Sequence, residues 1–102
     1  MYKRILIKVS GEALADESGF GIGTKTIGDL VRQLKVLNEE KIQIGIVIGG
    51  GNFWRGRQGS NMDRSTADHM GMLATLINAL ALQDALEAQG VPVRVQSALN
   101  IN

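Results

Sequence analysis

The chain has no cysteine, one proline, one histidine and only four aromatic residues among its 102 positions. Without cysteine there is no disulfide, no thiolate metal site and no cysteine nucleophile. Eleven basic side chains stand against ten acidic ones, a formal net charge of +1. Nucleic-acid binders draw affinity from neutralising many phosphates, so this balance argues against one. The most apolar stretch, Met70 to Leu82, is shorter than the roughly 18 residues a membrane span needs. The N-terminus is no signal peptide either, because Lys8 interrupts its short apolar run. The expectation is a soluble, cytoplasmic protein with no membrane and no nucleic-acid partner.

What is present is apolar and patterned. Hydrophobic residues make up 44 %, enough for one domain with a modest core. Arg4 to Val9 (RILIKV) and Gln43 to Ile48 read as buried strands, and Val93 to Gln96 as a third. Ile27, Leu30, Val31, Leu34 and Leu37 repeat at helical spacing after Thr24 and Thr26, either of which suits a cap. Ser65 to Gln89 reads as a long helix stopped by Gly90 and Pro92. Strands alternating with helices predict an α/β fold with a parallel sheet.

The long helix is unusual. Between Met70 and Leu82 only Gly71, Thr75 and Asn78 are not apolar, and they form one narrow stripe. A helix apolar nearly all round is buried nearly all round. The expectation is therefore a second cover, from more chain or from another subunit. The stripe itself has two readings: a line of close approach, or the solvent edge.

The stretch IGIVIGGGNFWRG, Ile44 to Gly56, ends an apolar run in three glycines. Ligands of open parallel sheets bind beyond the carboxyl ends of the strands. One predicted end carries Lys8, Ser10 and Gly11; the other carries Gly49, Gly50, Gly51 and Asn52. Glycines let a backbone present its N–H groups closely to an anion, and Lys8 and Arg55 add positive charge. Each part has a plainer reading: a tight turn, a strand-end lysine with its head in water, a solvated loop arginine. Together they fit a polyphosphate site. Two common cradles are excluded. GFGIGTKT has Thr24 where a P-loop needs glycine, and the first strand end lacks GxGxxG.

YKRILIKVSGEAL, GFGI, VIGGGNFWRG and DHMGMLATLINALALQDAL together resemble the bacterial uridylate kinase (UMP kinase) family of the amino-acid-kinase superfamily. The combination KxSGE, GGGNxxRG and DHMGMLAT separates that family from its aspartate, acetylglutamate and carbamate kinase relatives. The resemblance implies an αβα sandwich and transfer of a phosphoryl group from MgATP to UMP, with Mg2+ as cofactor. It implies Lys8 and Arg55 as catalytic residues, with Lys8, Val9, Ser10, Gly11, Gly51 and Arg55 around ATP. Gly50 would lie against the UMP phosphate, and Asp68 would hold the UMP ribose hydroxyls. Such phosphates would occupy the space a Cβ at Gly50 or Gly51 would take. Asp16, Glu17, Ser18, Gly19, Phe20 and Gly21 match a segment linked to activation by GTP, with UTP as an inhibitor.

Basic residues that some members use for GTP are absent at Gln83 and Glu87, and only Arg94 remains. The family forms homohexamers. Its members are also much longer, and this chain stops after SALNIN. Residues 1–102 therefore read as the N-terminal portion of a single amino-acid-kinase domain, inactive or nearly so alone. His69 reads as structural rather than catalytic. Phe53 and Trp54 would pack the loop, or Trp54 would face a neighbouring subunit. A non-enzymatic nucleotide-binding or assembly fragment, and a relative with another acceptor, are the competing readings.

Overall fold

The computed structural model describes residues 3–54 and 62–96. Two strands, β1 (Lys3–Val9) and β2 (Ile42–Ile48), pair in parallel, from Lys3 opposite Ile42 to Val9 opposite Ile48. Helix α1 (Thr24–Glu39) carries the chain from one to the other, and α2 (Arg64–Ala88) follows β2. The predicted mixed α/β fold with a parallel sheet is what forms.

The period of two in each strand decides the layers. Ile5, Ile7 and Val9, with Ile44, Ile46 and Ile48, point inward; Arg4, Leu6, Lys8, Gln43 and Val47 are exposed on the other face. Both helices cover the inner face. Val9, Ile48, Val31, Leu34, Leu82, Leu86, Leu14 and Val91 form the core between them. Each such side chain contributes about 1.5–3 kcal/mol on full burial. The outer face, with Leu6 76 % and Val47 54 % exposed, is where the second helical layer of an αβα sandwich would lie.

The helix ends differ from the sequence-based expectation in instructive ways. Neither Thr24 nor Thr26 caps α1. Gly23 stands at the cap without a side-chain bond, and the Thr26 hydroxyl donates to the Ala15 carbonyl at 3.2 Å. Asp63 caps α2, accepting from the Thr66 amide at 3.2 Å. At the other end Gly90, at φ +80°, turns the chain. Its amide donates to Glu87 O and that of Val91 to Leu86 O, closing the helix as the glycine predicted.

The third strand does not form as expected. Residues 91–96 carry no regular element. Val91, Val93 and Val95 still turn inward while the residues between them are exposed, as in a strand. A groove lined by Ile44, Ile46, Leu82 and Val93 runs between this segment and β2. The local pattern was strand-like, but a ladder also needs a partner edge within hydrogen-bonding reach, which no local pattern encodes.

Candidate functional site

Parallel pairing places the carboxyl ends of β1 and β2 on one edge. Lys8 lies opposite Val47, one residue before the end of β1, and is exposed. Ser10 is exposed at the start of a short 3-10 turn, Gly11–Leu14. Gly49 leaves β2 with its amide donating back to the Val9 carbonyl at 3.0 Å. The structure thus brings Lys8, Val9, Ser10, Gly11, Gly50 and Gly51 to the same edge. Arg55, expected beside them, lies outside the described residues.

The glycines answer a different need from the one the sequence suggested. A Cβ on Gly11 would lie 2.5 Å from the Gly51 nitrogen and 2.7 Å from Asn52 Oδ1. One on Gly50 would lie 2.7 Å from Ala74 Cβ and 2.9 Å from the Thr75 nitrogen of α2. One on Gly51 would collide with the Glu12 carboxylate. The space a Cβ would take at Gly50 is filled by α2, while at Gly51 it is taken by the carboxylate end of the exposed Glu12 side chain. The two strand-end turns are packed backbone to backbone, and α2 presses against the second. The Gly50 carbonyl accepts from the Phe53 and Trp54 amides, each at 3.0 Å.

The stripe on α2 is resolved by the same contact. Ala74 and Asn78 are buried, Gly71 and Thr75 are half-buried, and Leu73, Ile77 and Leu80 are 48–50 % exposed. Small and polar residues face inward because the glycine turn approaches there. Asn78 is fully buried; its amide donates to the Gly49 carbonyl at 2.8 Å and to Asn52 Oδ1 at 2.7 Å. Trp54 belongs to this packing too. Its indole N–H donates to the Ala67 carbonyl at 3.1 Å, so it anchors the loop on α2.

The segment Asp16–Gly21 lies against the glycine turn. Gly21 donates to the Asn52 carbonyl at 2.9 Å, and Asn52 Nδ2 donates to the Gly21 carbonyl at 2.7 Å. Phe20 and Phe53 meet edge to face, with ring centres 5.6 Å apart. Gly19 and Gly21 adopt φ of +84° and +69° in otherwise open space, so here the backbone conformation itself calls for glycine. Asp16 accepts from the hydroxyl and the amide of Ser18, and these bonds hold its carboxyl below the ordinary range. Glu17 is exposed beside it.

Asp68 is exposed in the second turn of α2, not at its cap. His69 is exposed, with Nδ1 2.7 Å from the Ser65 carbonyl. Arg94 is exposed and, with Gln83, lines the groove along β2; no residue of Asp16–Gly21 lines that groove. One residue without an assigned role proves central to this packing, Asn78. A lone amide in the apolar run of α2 was the available signal for it.

The sequence model of the amino acid kinase family matches residues 3–102. Among solved structures, the chain is similar to UMP kinase from Ureaplasma parvum, at 42 % identity and a TM-score of 0.89. That match covers 99 % of this chain and 45 % of the other. It is also similar to UMP kinase from Bacillus anthracis, at 39 % identity and a TM-score of 0.80, over 85 % of this chain and 36 % of that one. The chain spans less than half the length of either.

Proposed function

This chain belongs to the amino acid kinase family, and on that premise we propose that it is part of an enzyme that phosphorylates UMP from MgATP to give UDP. The observation that carries the reading is the edge where Lys8, Ser10 and the turn Gly49–Gly51 meet. It stands beside 42 % identity to a UMP kinase.

A phosphate oxygen of UMP attacks the γ-phosphorus of ATP; the bond to the β,γ-bridging oxygen breaks and ADP leaves. The transition state is loose, with charge spread over the transferred oxygens, so the protein positions and neutralises. Lys8 places a mobile ammonium at the edge. Val9, Ser10, Gly11 and Gly51 offer backbone to ATP, Gly50 offers backbone to the UMP phosphate, Lys8 bridges the phosphates, and Arg55 is assigned to phosphate at their junction. Asp68 accepts the ribose hydroxyls. Mg2+ would come bound to ATP and would supply charge neutralisation at its phosphates.

Asp16–Gly21 would receive a GTP activator with Arg94 from a neighbouring subunit, and UTP would inhibit. The exposed Leu73, Ile77 and Leu80 of α2 favour assembly of copies, up to a hexamer. Among the described residues no helix is long and apolar enough to cross a membrane. Because the similar kinases are more than twice as long, the 102 residues alone turn over slowly or not at all.

The test is ADP release with ATP and UMP, by the full chain (the whole enzyme of which these residues are proposed to be part) and by residues 1–102 separately. Strictly UMP-dependent turnover by the full chain is the expected result. A full chain that hydrolyses ATP without regard to UMP, or is idle, overturns the reading.

A further inference from the structure

Asn52 and Asn78 are the two buried polar side chains among the described residues, 1 % and 0 % exposed. Their amides bond reciprocally, Asn52 Nδ2 to Asn78 Oδ1 at 3.0 Å and Asn78 Nδ2 to Asn52 Oδ1 at 2.7 Å. The second hydrogen of each amide also has a fixed target. Asn52 donates to the Gly21 carbonyl at 2.7 Å, and Asn78 to the Gly49 carbonyl at 2.8 Å. All four N–H donors are used. Reversing either amide would set oxygen against oxygen, so the orientation is fixed by chemistry.

Three separate pieces of chain meet at this pair: α2 through Asn78, the glycine turn through Gly49 and Asn52, and Asp16–Gly21 through Gly21. The Gly21 amide returns a bond to the Asn52 carbonyl at 2.9 Å, so Asn52 grips that residue from both sides. Stability alone does not call for such a pair. Replacing both hydrogen-bonding partners by apolar groups of the same shape is often close to neutral. What an apolar pair would not do is fix the direction of the Gly49 carbonyl, and with it the plane of the Gly49–Gly50 peptide.

We infer that Asn52 and Asn78 are positioning residues. They aim the backbone of the glycine turn at the phosphates and make it move as one body with Asp16–Gly21. The inference rests on the phosphoryl-transfer reading for its consequence, but not for its geometry. A ligand that shifts Asp16–Gly21 then acts on the glycine turn through Asn52, with no intermediary. Conversely, loosening Asn78 loosens Gly21, although Asn78 makes no hydrogen bond to it.

The test takes the full chain with Asn78→Leu, and with Asn52→Leu and Asn78→Leu combined. The single variant leaves Asn52 Oδ1 and one of its two N–H groups buried without their partner, while the other N–H keeps the Gly21 carbonyl. The double variant removes both amides at once, with the same number of side-chain heavy atoms, so no unpaired amide is left in the pair and it covers the case in which the single one fails to fold. Hydrogen exchange without nucleotide is read first. The expected result is exchange at least about tenfold faster at Gly21 and in Gly49–Gly51, with the amides of α1 unchanged. In the double variant Tm falls, because the Gly21 and Gly49 carbonyls lose their donors, while kcat measured well below that Tm falls by at least about tenfold, the scale of a misplaced reacting group. Unchanged exchange at Gly21, or kcat of the folded double variant within about twofold of wild type, overturns the inference. A wild-type chain without UMP-dependent turnover would instead defeat the reading of the reaction. The exchange result then decides on its own whether the pair joins the two loops.

Discussion

A Cβ on Gly50 would lie 2.7 Å from the Cβ of Ala74, with the backbone of α2 directly behind it. The turn after β2 and the long helix are thus in contact through the absence of one carbon atom. This contact sets how near the candidate phosphate edge sits to the helix that carries Asp68.

Gly50→Ala should therefore destabilise the protein through overpacking, by about 1–3 kcal/mol. The added methyl meets helix backbone, which cannot swing away as a side-chain end would. Gly28→Ala is the internal comparison. Its Cβ would meet only Arg32 Nη1 at 3.8 Å, within α1. There alanine should stabilise by about 0.5–1 kcal/mol, from reduced freedom of the unfolded chain and better helix propensity. Thermal melts of the two variants should move in opposite directions. A Gly50→Ala variant as stable as wild type would mean that the turn and α2 can part without cost.

Much of this was legible before the structure. Short β-branched apolar runs announced both strands, and the spacing from Ile27 to Leu37 announced α1, because each pattern is local. The shared edge followed from parallel pairing, which a helical crossover between short strands requires. The face of α2 that turns inward was not legible. Its apolar residues outnumber its polar ones on nearly every side, so hydrophobicity gave no direction. The contact with Gly50 and the bonds to Gly49 and Asn52 decided it, and these join residues 24 to 29 positions apart. The glycines were recognised as places of close approach, but the group approaching Gly11 and Gly50 was another part of the same chain. The role of Arg55 lies outside the described residues.

Ser18→Ala should raise the Asp16 pKa. The Ser18 hydroxyl bond is the largest cause of its depression and the Ser18 amide bond the next, so the variant recovers part of the shift. The sign for stability follows. A carboxyl whose folded pKa lies below its unfolded value contributes above the unfolded value and loses that contribution as pH falls through the folded one. Ser18→Ala therefore gives up part of that contribution at neutral pH, and the difference from wild type closes as both are taken into acid. A carboxylate titration followed by NMR checks this. An Asp16 midpoint indifferent to Ser18→Ala would show that the loop bonds are not kept in solution.

Lys8 and Asp68 should separate by kinetic signature in the full chain. Lys8 stands exposed at the strand edge, free to follow charge as it develops. Lys8→Ala should then lower kcat by about 100-fold or more, the scale of losing one transition-state contact to developing charge. Asp68→Asn should weaken UMP binding and leave the ATP dissociation constant unchanged, since its carboxylate is assigned to one ribose. Turnover of Lys8→Ala within about twofold of wild type would remove Lys8 from the chemistry. Equal loss of ATP and UMP affinity in Asp68→Asn would mean that the wrong ligand has been assigned to Asp68.

The exposed side of α2 gives the last prediction. Leu73, Ile77 and Leu80 stand at i, i+4 and i+7, each about half exposed, with Met72 37 % exposed beside them. They form one continuous apolar stripe on a helix whose other side is already packed. Leu76 is half-buried and so a poorer probe, because a charge there would also disturb the chain's own packing. Ile77→Glu is the cleaner substitution. On a lone chain its carboxylate reaches water and costs little. In an interface between copies it would be an unpaired buried charge, at several kcal/mol by order of magnitude. The variant should therefore keep its helical circular dichroism and lose its assembly, read as a drop in mass by light scattering at about micromolar concentration, where an interface of ordinary affinity is populated. If wild type and Ile77→Glu are both well-folded monomers there, the stripe is not a contact between copies. If both assemble equally, the contact lies on another face, and the bare side of the sheet bearing Leu6 and Val47 becomes the place to substitute next.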